Sequence, residues 1–439
     1  VPAASGAVTA SVTVGEDLSA PITLSFPDGA GPADLTITAD SLIESPGNAS
    51  SVDIAEVTAK GVQAGQFFVY LYRREVSIRR APRIFAPAGA ELQVFLALPS
   101  DLITSHTAVN IAVGAPSGTG SNAIAWSGPA VIPDGSSISS GCLSIIGGSG
   151  ANRITLTVDN GFTFTESESA SLTIDVVGYS SPLYVSEEGS DITGDGTLAS
   201  PLRTISYAVS LLTEGEEVRV LPGTYGPSGG EILPIRPRGV RIVGNGPDNR
   251  ADAVVITGEG AALSIIYGKD TPAITGYLAN LTLTGCAAPA VLIDNAVIEL
   301  HNCILRDISA GDAAAGVRLI NNGKALADGC EFANLSGYGA VGGEVILVPN
   351  VEFTATNCRF LGNYSTIGTV YAFGPNWQEP LGTWRFTDCV FDGNSVLNNY
   401  KPGHDFAATA FYMYGRSSVG AGTLTVDRCS FLHDSEGCT

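Results

Sequence analysis

Residues 353–360 read Phe353-Thr354-Ala355-Thr356-Asn357-Cys358-Arg359-Phe360, and residues 384–391 read Trp384-Arg385-Phe386-Thr387-Asp388-Cys389-Val390-Phe391. In both, an apolar or small residue stands three and five positions before a cysteine, and a large apolar residue stands two after it. The same frame surrounds Cys303 (Ile298, Leu300, Leu305), Cys330 (Ala325, Ala327, Phe332) and Cys429 (Leu424, Val426, Phe431). Cys286 fits upstream through Leu281 and Leu283, although Ala288 is a poor match downstream. From Cys303 onward the intervals are 27, 28, 31 and 40 residues. A fixed frame at varying intervals is what coils with loop insertions produce. A coil of short strands cannot bury its apolar face alone, so coils must stack. Like residues then form ladders, and the frame predicts a cysteine ladder and a phenylalanine ladder on one wall. At about 27 residues per coil, the chain beyond residue 183 holds roughly eight or nine coils.

Working back from the repeat, the chain reads Tyr184-Val185-Ser186, Gly189-Ser190-Asp191, Gly194-Asp195-Gly196-Thr197 and Ser200-Pro201. A helix is expected over about residues 202–213, with Ile205, Ala208, Val209 and Leu212 on one face and Gly215 as its stop. Ser200 suits its N-cap and Pro201 its first turn. Val218-Arg219-Val220-Leu221-Pro222-Gly223-Thr224-Tyr225 follows. This run resembles the opening of secreted right-handed parallel β-helix proteins of the pectin-lyase-like superfamily, and the resemblance extends over about residues 183–439. It implies a right-handed parallel β-helix whose N-terminal end is capped by the helix. That superfamily holds lyases, hydrolases, adhesins and structural surface proteins, so the resemblance speaks for fold and not for one activity.

Residues 1–180 read as all-β. Short runs of alternating apolar and polar residues, such as Ala10–Val14, Glu91–Leu98, Arg153–Val158 and Ser171–Val177, are separated by Gly, Pro, Asn and Ser. Strands at this spacing suggest a β-sandwich-like region. Ser180-Ser181-Pro182 is a short linker into the second region, 181–439. The whole is therefore expected to be an all-β chain of two parts.

Composition narrows the function. Among 439 residues, 22 are Lys or Arg and 43 are Asp or Glu, giving a net charge of −21. Nucleic acid is an unsuitable partner for such a surface. No apolar run is long enough for a transmembrane segment. The chain begins at Val1 without a leader, as a secreted protein does once its signal peptide is removed. Its eight cysteines fit an extracellular setting. Sequons at Asn48, Asn280, Asn334 and Asn363 are glycosylation candidates.

The six framed cysteines have two readings: buried free thiols, or disulfides between neighbouring coils. Cys142 and Cys438 lie outside the frame and are candidates for an intermolecular or terminal disulfide. Asp191, Thr193 and Asp195, followed by Gly196, match the start of a calcium loop. Leu202 stands where that loop's bidentate Glu belongs, so a plain Asp/Gly turn is the competing reading. No other cofactor is implied. Lys401, His404 and Asp405, in an insertion with Trp377 in the loop before it, form the one cluster suited to acid–base work or sugar binding. A solvated loop is its plain alternative. Trp384 is inward in the ladder frame and belongs to the core. Arg73, Arg74, Arg79, Arg80 and Arg83 concentrate positive charge after an aromatic strand, and an exposed hairpin competes with an assembly patch there.

No recognisable capping helix follows the last coil: either the sequence is a fragment, or Asp434–Thr439 caps poorly, or the open strand edges meet another chain. The expected function is a secreted, non-catalytic structural protein of a prokaryotic cell surface, assembling with copies of itself into a sheath, layer or filament. The alternative is a carbohydrate-active enzyme (polysaccharide lyase or glycosidase) or a glycan-binding adhesin with surface glycans as partners.

Overall fold

The computed structural model describes residues 8–14, 22–26, 50–58, 68–71, 75–79, 82–98, 108–261, 263–269, 275–344, 351–373, 382–397, 408–413 and 423–437. The chain is almost wholly β-structure, as the alternation and the repeat predict.

The N-terminal part is sandwich-like. Gly150–Val158 pairs antiparallel with Ser171–Tyr179 through Ile154↔Ile174 and Leu156↔Leu172. A strand's period of two sends these four residues to one face. There they meet Leu96, Ile132, Leu143 and Phe164 in a buried cluster. The strand Arg83–Pro87 pairs parallel to Ser171–Tyr179 at that sheet's edge.

The second part is a parallel β-helix of three walls. Nine described strands form the first wall, from Leu183–Val185 to Thr423–Asp427. The second runs from Gly223–Tyr225 to Ser430–Leu432, and the third from Ile266–Lys269 to Ala408–Met413. Every pairing between successive coils is parallel; the first two walls keep register, for instance Phe332↔Phe360↔Phe391↔Phe431 in the second wall, while the third shifts register between Ala314 and Val317 and between Gly368 and Val370. Those four rings stack 4.8, 4.5 and 5.0 Å apart with planes within 14°. Each buried phenyl stabilises the stack by about 1.5–3 kcal/mol through burial, and ring contact adds roughly 0.5–1.5. Trp384 is buried against Phe353, as its frame position requires.

The cysteine ladder stands beside the phenylalanines, at the corner between the first and second walls. Cys303, Cys330, Cys358, Cys389 and Cys429 are successive members, joined through Glu331 N to Cys303 O and the equivalent bonds above it. The residue before each one has positive φ: Asn302, Gly329, Asn357, Asp388 and Arg428. This left-handed corner turns the chain from one wall to the next, and Asn, Asp and Gly adopt it most readily. Cys286 is not a member. Gly285 N bonds to Asp307 O, which sets Cys286 at the far corner of the second wall, while Leu281 takes the ladder place below Cys303. The frame misled there because Leu281, just before the second-wall strand Thr282–Thr284, and Leu283 within it have the same spacing that first-wall strands show.

All seven described cysteines are free thiols. In-register parallel stacking explains this for the ladder. It holds successive Cβ atoms near the strand spacing of about 4.8 Å, beyond the roughly 3.8 Å that a disulfide takes. Disulfides between described coils are therefore not formed. Each ladder thiol instead lies 3.3–3.5 Å from the carbonyl oxygen two residues before it.

Helix α1, Ile205–Leu211, starts later than the sequence suggests. Leu202 bridges to Val185, and its amide and carbonyl bond to Tyr184 O and Ser186 N at 2.9 Å each. Residue 202 is thus held extended, and neither Ser200 nor Pro201 reaches the helix. Thr204 is the N-cap, its hydroxyl accepting from Tyr207 N at 3.2 Å.

Candidate functional site

A cleft of about 190 Å³ lies beside α1, lined by Glu187, Arg203, Thr224, Tyr225, Ser228 and Glu231 among others. Its carboxylates are engaged by the backbone. Glu231, only 6% exposed, accepts from Ile205 N and, at 3.0 Å, from Ser206 N, the first two amides of α1. Burial pushes its carboxyl above the ordinary carboxylate range, against the pull of those amides. Glu187 accepts from Thr224 N at 2.6 Å, and neighbouring Glu259 accepts from the Ser228 amide and hydroxyl. Arg203 donates to Gly229 O at 2.9 Å. Tyr225 donates to Leu221 O at 2.8 Å, and burial raises its phenol well above the usual value. These groups fix the turns that begin the β-helix.

The acidic loop before α1 works in the same way. Asp191 accepts from Arg203 N, Thr204 N and the Thr204 hydroxyl at 2.8, 3.1 and 2.7 Å. Asp195 accepts from the Thr197 amide and hydroxyl at 3.0 and 2.7 Å. Both carboxylates of the candidate calcium loop are turn and cap acceptors, and they do not share a donor. Thr193 donates its amide to the Ser190 hydroxyl at 3.1 Å.

Two of the five arginines in the assembly patch are described, and each donates to a backbone carbonyl of the fold. Arg79 donates to Leu98 O at 3.2 Å. Arg83 bridges the two parts of the chain, donating to Asp191 O at 3.1 Å and to Gly194 O. Its guanidinium lies 4.9 Å over the Phe85 ring, which packs on Tyr179 and on Tyr207 of α1. Arg83 is thus a joint between the parts and not a member of a free patch. Arg73, Arg74 and Arg80 lie outside the described residues, as do Lys401, His404, Asp405, Trp377, Cys438 and Asn48. Cys142 is buried.

The outer face of the first wall carries a stack that the sequence reading missed. The Arg241 guanidinium sits 3.6 Å over the Tyr277 ring, and the His301 ring stacks on Tyr277 at 4.9 Å. Glu299 and Asp328 lie 3.5 and 4.0 Å from the imidazole. Arg241 and His301 lie one coil to either side of Tyr277 in the pairing order, so each covers one face of its ring. Knowing which residues stack across coils needs the register, which varying loop lengths hide.

A second missed feature is a polar ladder inside the second wall. Asn363 and Asn394 are fully buried. Asn363 Nδ2 donates to Phe332 O and to Asn394 Oδ1, both at 2.9 Å. Asn394 Nδ2 donates to Phe360 O at 2.9 Å and to Asp434 Oδ1 at 3.0 Å. Asn363 is therefore a structural residue inside the stack and not a glycan acceptor on the folded surface. Asn334 is exposed, with its amide 3.2 Å from Asp307, and Asn280 is half-buried beside Asn302. The recurring pairs Gly362-Asn363, Gly393-Asn394 and His433-Asp434 were the sequence signal for this ladder.

On the coil of residues 423–437, Leu424, Val426 and Phe431 are 40–47% exposed, whereas Trp384, Phe386 and Phe391 one coil earlier are at most 1% exposed. Among the described residues nothing covers this rung. No described helix is long and apolar enough to cross a membrane.

Residues 187–275 match a family model described as a protein of unknown function (DUF1565). The match takes in the acidic loop, α1 and every residue that lines the cleft. No curated protein and no solved structure matches the chain.

Proposed function

We propose that this chain is a secreted, non-catalytic structural protein of a prokaryotic cell surface, whose copies associate into a sheath, layer or filament. The observation that carries this reading is where the polar side chains go. Glu187, Glu231, Glu259, Asp191 and Asp195 bind backbone amides and hydroxyls. Asn363 and Asn394 join coil to coil, and Tyr277 is enclosed between Arg241 and His301. A hydrolase needs two carboxyl groups facing an open cleft across the scissile bond. Here the carboxylates instead fasten the turns of a rod.

Such a rod is a building block, and its copies are proposed to join one another.

Sedimentation velocity at rising concentration tests this. The wild type should form dimers or larger species as its concentration rises. A wild type that stays monomeric at every concentration contradicts it. Turnover of a polyuronate that is lost on changing Lys401 or His404 would favour the carbohydrate-active alternative instead.

A further inference from the structure

The buried amide ladder of the second wall has a carboxylic acid in its third place. In the first two places one pattern repeats. The side-chain oxygen of Asn394 accepts from the Asn363 amide and from Asn363 Nδ2, at 3.1 and 2.9 Å. Each Nδ2 also donates to the carbonyl of a ladder phenylalanine one coil back, Phe332 O for Asn363 and Phe360 O for Asn394. Asp434 continues the series. Its Oδ1 accepts from Asn394 N at 2.8 Å and from Asn394 Nδ2 at 3.0 Å, as an amide oxygen would.

A carboxyl group has the shape of an amide. With Oδ1 in the oxygen's place, Oδ2 takes the place of the nitrogen that would donate to Phe391 O. Oδ2 is buried and has no hydrogen-bond partner. Ionised, it sets a negative oxygen toward a carbonyl oxygen. Protonated, it supplies the donor that the slot takes from Asn in the coils before it.

We propose that Asp434 is a proton-binding site of the stack: its neutral acid completes the amide ladder through Phe391 O, and its ionisation loosens the coil of residues 423–437. Burial, the largest influence, raises the Asp434 carboxyl above its ordinary 3.8, with the Asn394 donors pulling the other way. The charged neighbours are Asp392, which raises it, and His433, which lowers it; those two also pair with each other at 2.9 Å.

The sign follows by linkage. A carboxyl whose folded-state midpoint lies above its unfolded one stabilises the fold fully below the unfolded value. That contribution is lost as pH rises through the folded midpoint. Each unit between the two midpoints is a tenfold change in the opening equilibrium of the coil.

Hydrogen exchange of residues 430–437 in the full chain, corrected for intrinsic rates, reads that equilibrium. In the wild type, protection should be higher at pH 4 than at pH 7. Asp434→Asn should raise protection at pH 7 several-fold, as one added buried hydrogen bond does, and remove most of the pH dependence. Asp392→Asn removes a neighbouring charge without filling the slot, and it should not reproduce the gain. The carboxyl carbon shift of Asp434 should titrate above 3.8. Wild-type protection independent of pH, equal effects of the two variants, or an Asp434 midpoint at or below 3.8 would each overturn the proposal.

Discussion

Phe360 lies between Phe332 and Phe391 with ring centroids 4.8 and 4.5 Å away, and no part of it is exposed. Phe360→Ala opens a cavity that in-register neighbours cannot fill without breaking their own pairing. It should cost about 3–5 kcal/mol, read from denaturant unfolding. Phe360→Leu should cost clearly less, and equal losses would mean that the ladder packs loosely. The thiols beside it are a column of buried hydrophobes. The Cys358 thiolate is strongly disfavoured, first by its hydrogen bonding with Cys330 and then by burial. Cys330 is raised in the same way, and burial is the main cause for the more exposed Cys429. An alkylating reagent at pH 8 should therefore leave the interior thiols unmodified in the native protein and label all of them in denaturant. Rapid native labelling of Cys330 or Cys358 would show that the coils open far more readily than their hydrogen bonding implies.

At the scale of elements, the repeat was legible because stacking repeats chemistry. Like residues recur at one interior place, so the sequence announces the Cys and Phe ladders, although it puts both on one wall where the cysteines in fact stand at the corner. Trp384 could be placed in the core for the same reason. Cys286 could not, because spacing within a coil does not say which wall a strand belongs to. That is decided by pairing with strands some 20–40 residues away. The start of α1 was misread for a related cause. Ser200-Pro201 is a good local start signal, but Leu202 is held by a strand bridge to Val185, a contact that local preference does not contain. The true N-terminus is held by Thr204 and by Glu231, which comes from a turn 25 residues beyond Ser206. Thr204→Ala should cost about 1 kcal/mol. Glu231→Ala strands two amides and should cost about 1–3. Since the folded Glu231 carboxyl lies above its ordinary range, its protonated form is favoured by folding. Its contribution should be greatest in acid and fall as pH rises through the folded midpoint, and Glu231→Gln should flatten that slope in thermal melts. A steeper slope in the Gln variant would refute the assignment.

Across the whole molecule, Arg83 and Phe85 fasten the sandwich-like part to the loop and helix that begin the β-helix. Arg83→Ala should raise proteolytic cleavage within residues 186–200 several-fold while leaving the coils of residues 297–397 protected. Cleavage that rises equally throughout would show one cooperative unit instead. The assembly surface expected from the arginine cluster has in this way become, at Arg83, an internal joint. What could not be read from sequence was where each charge points, since that depends on packing between distant segments. The most direct test of the structural role is electron microscopy of the purified protein at neutral pH. Ordered assemblies of rod-shaped copies are the expected result. Dispersed single rods, with measurable depolymerisation of a surface polysaccharide, would contradict it.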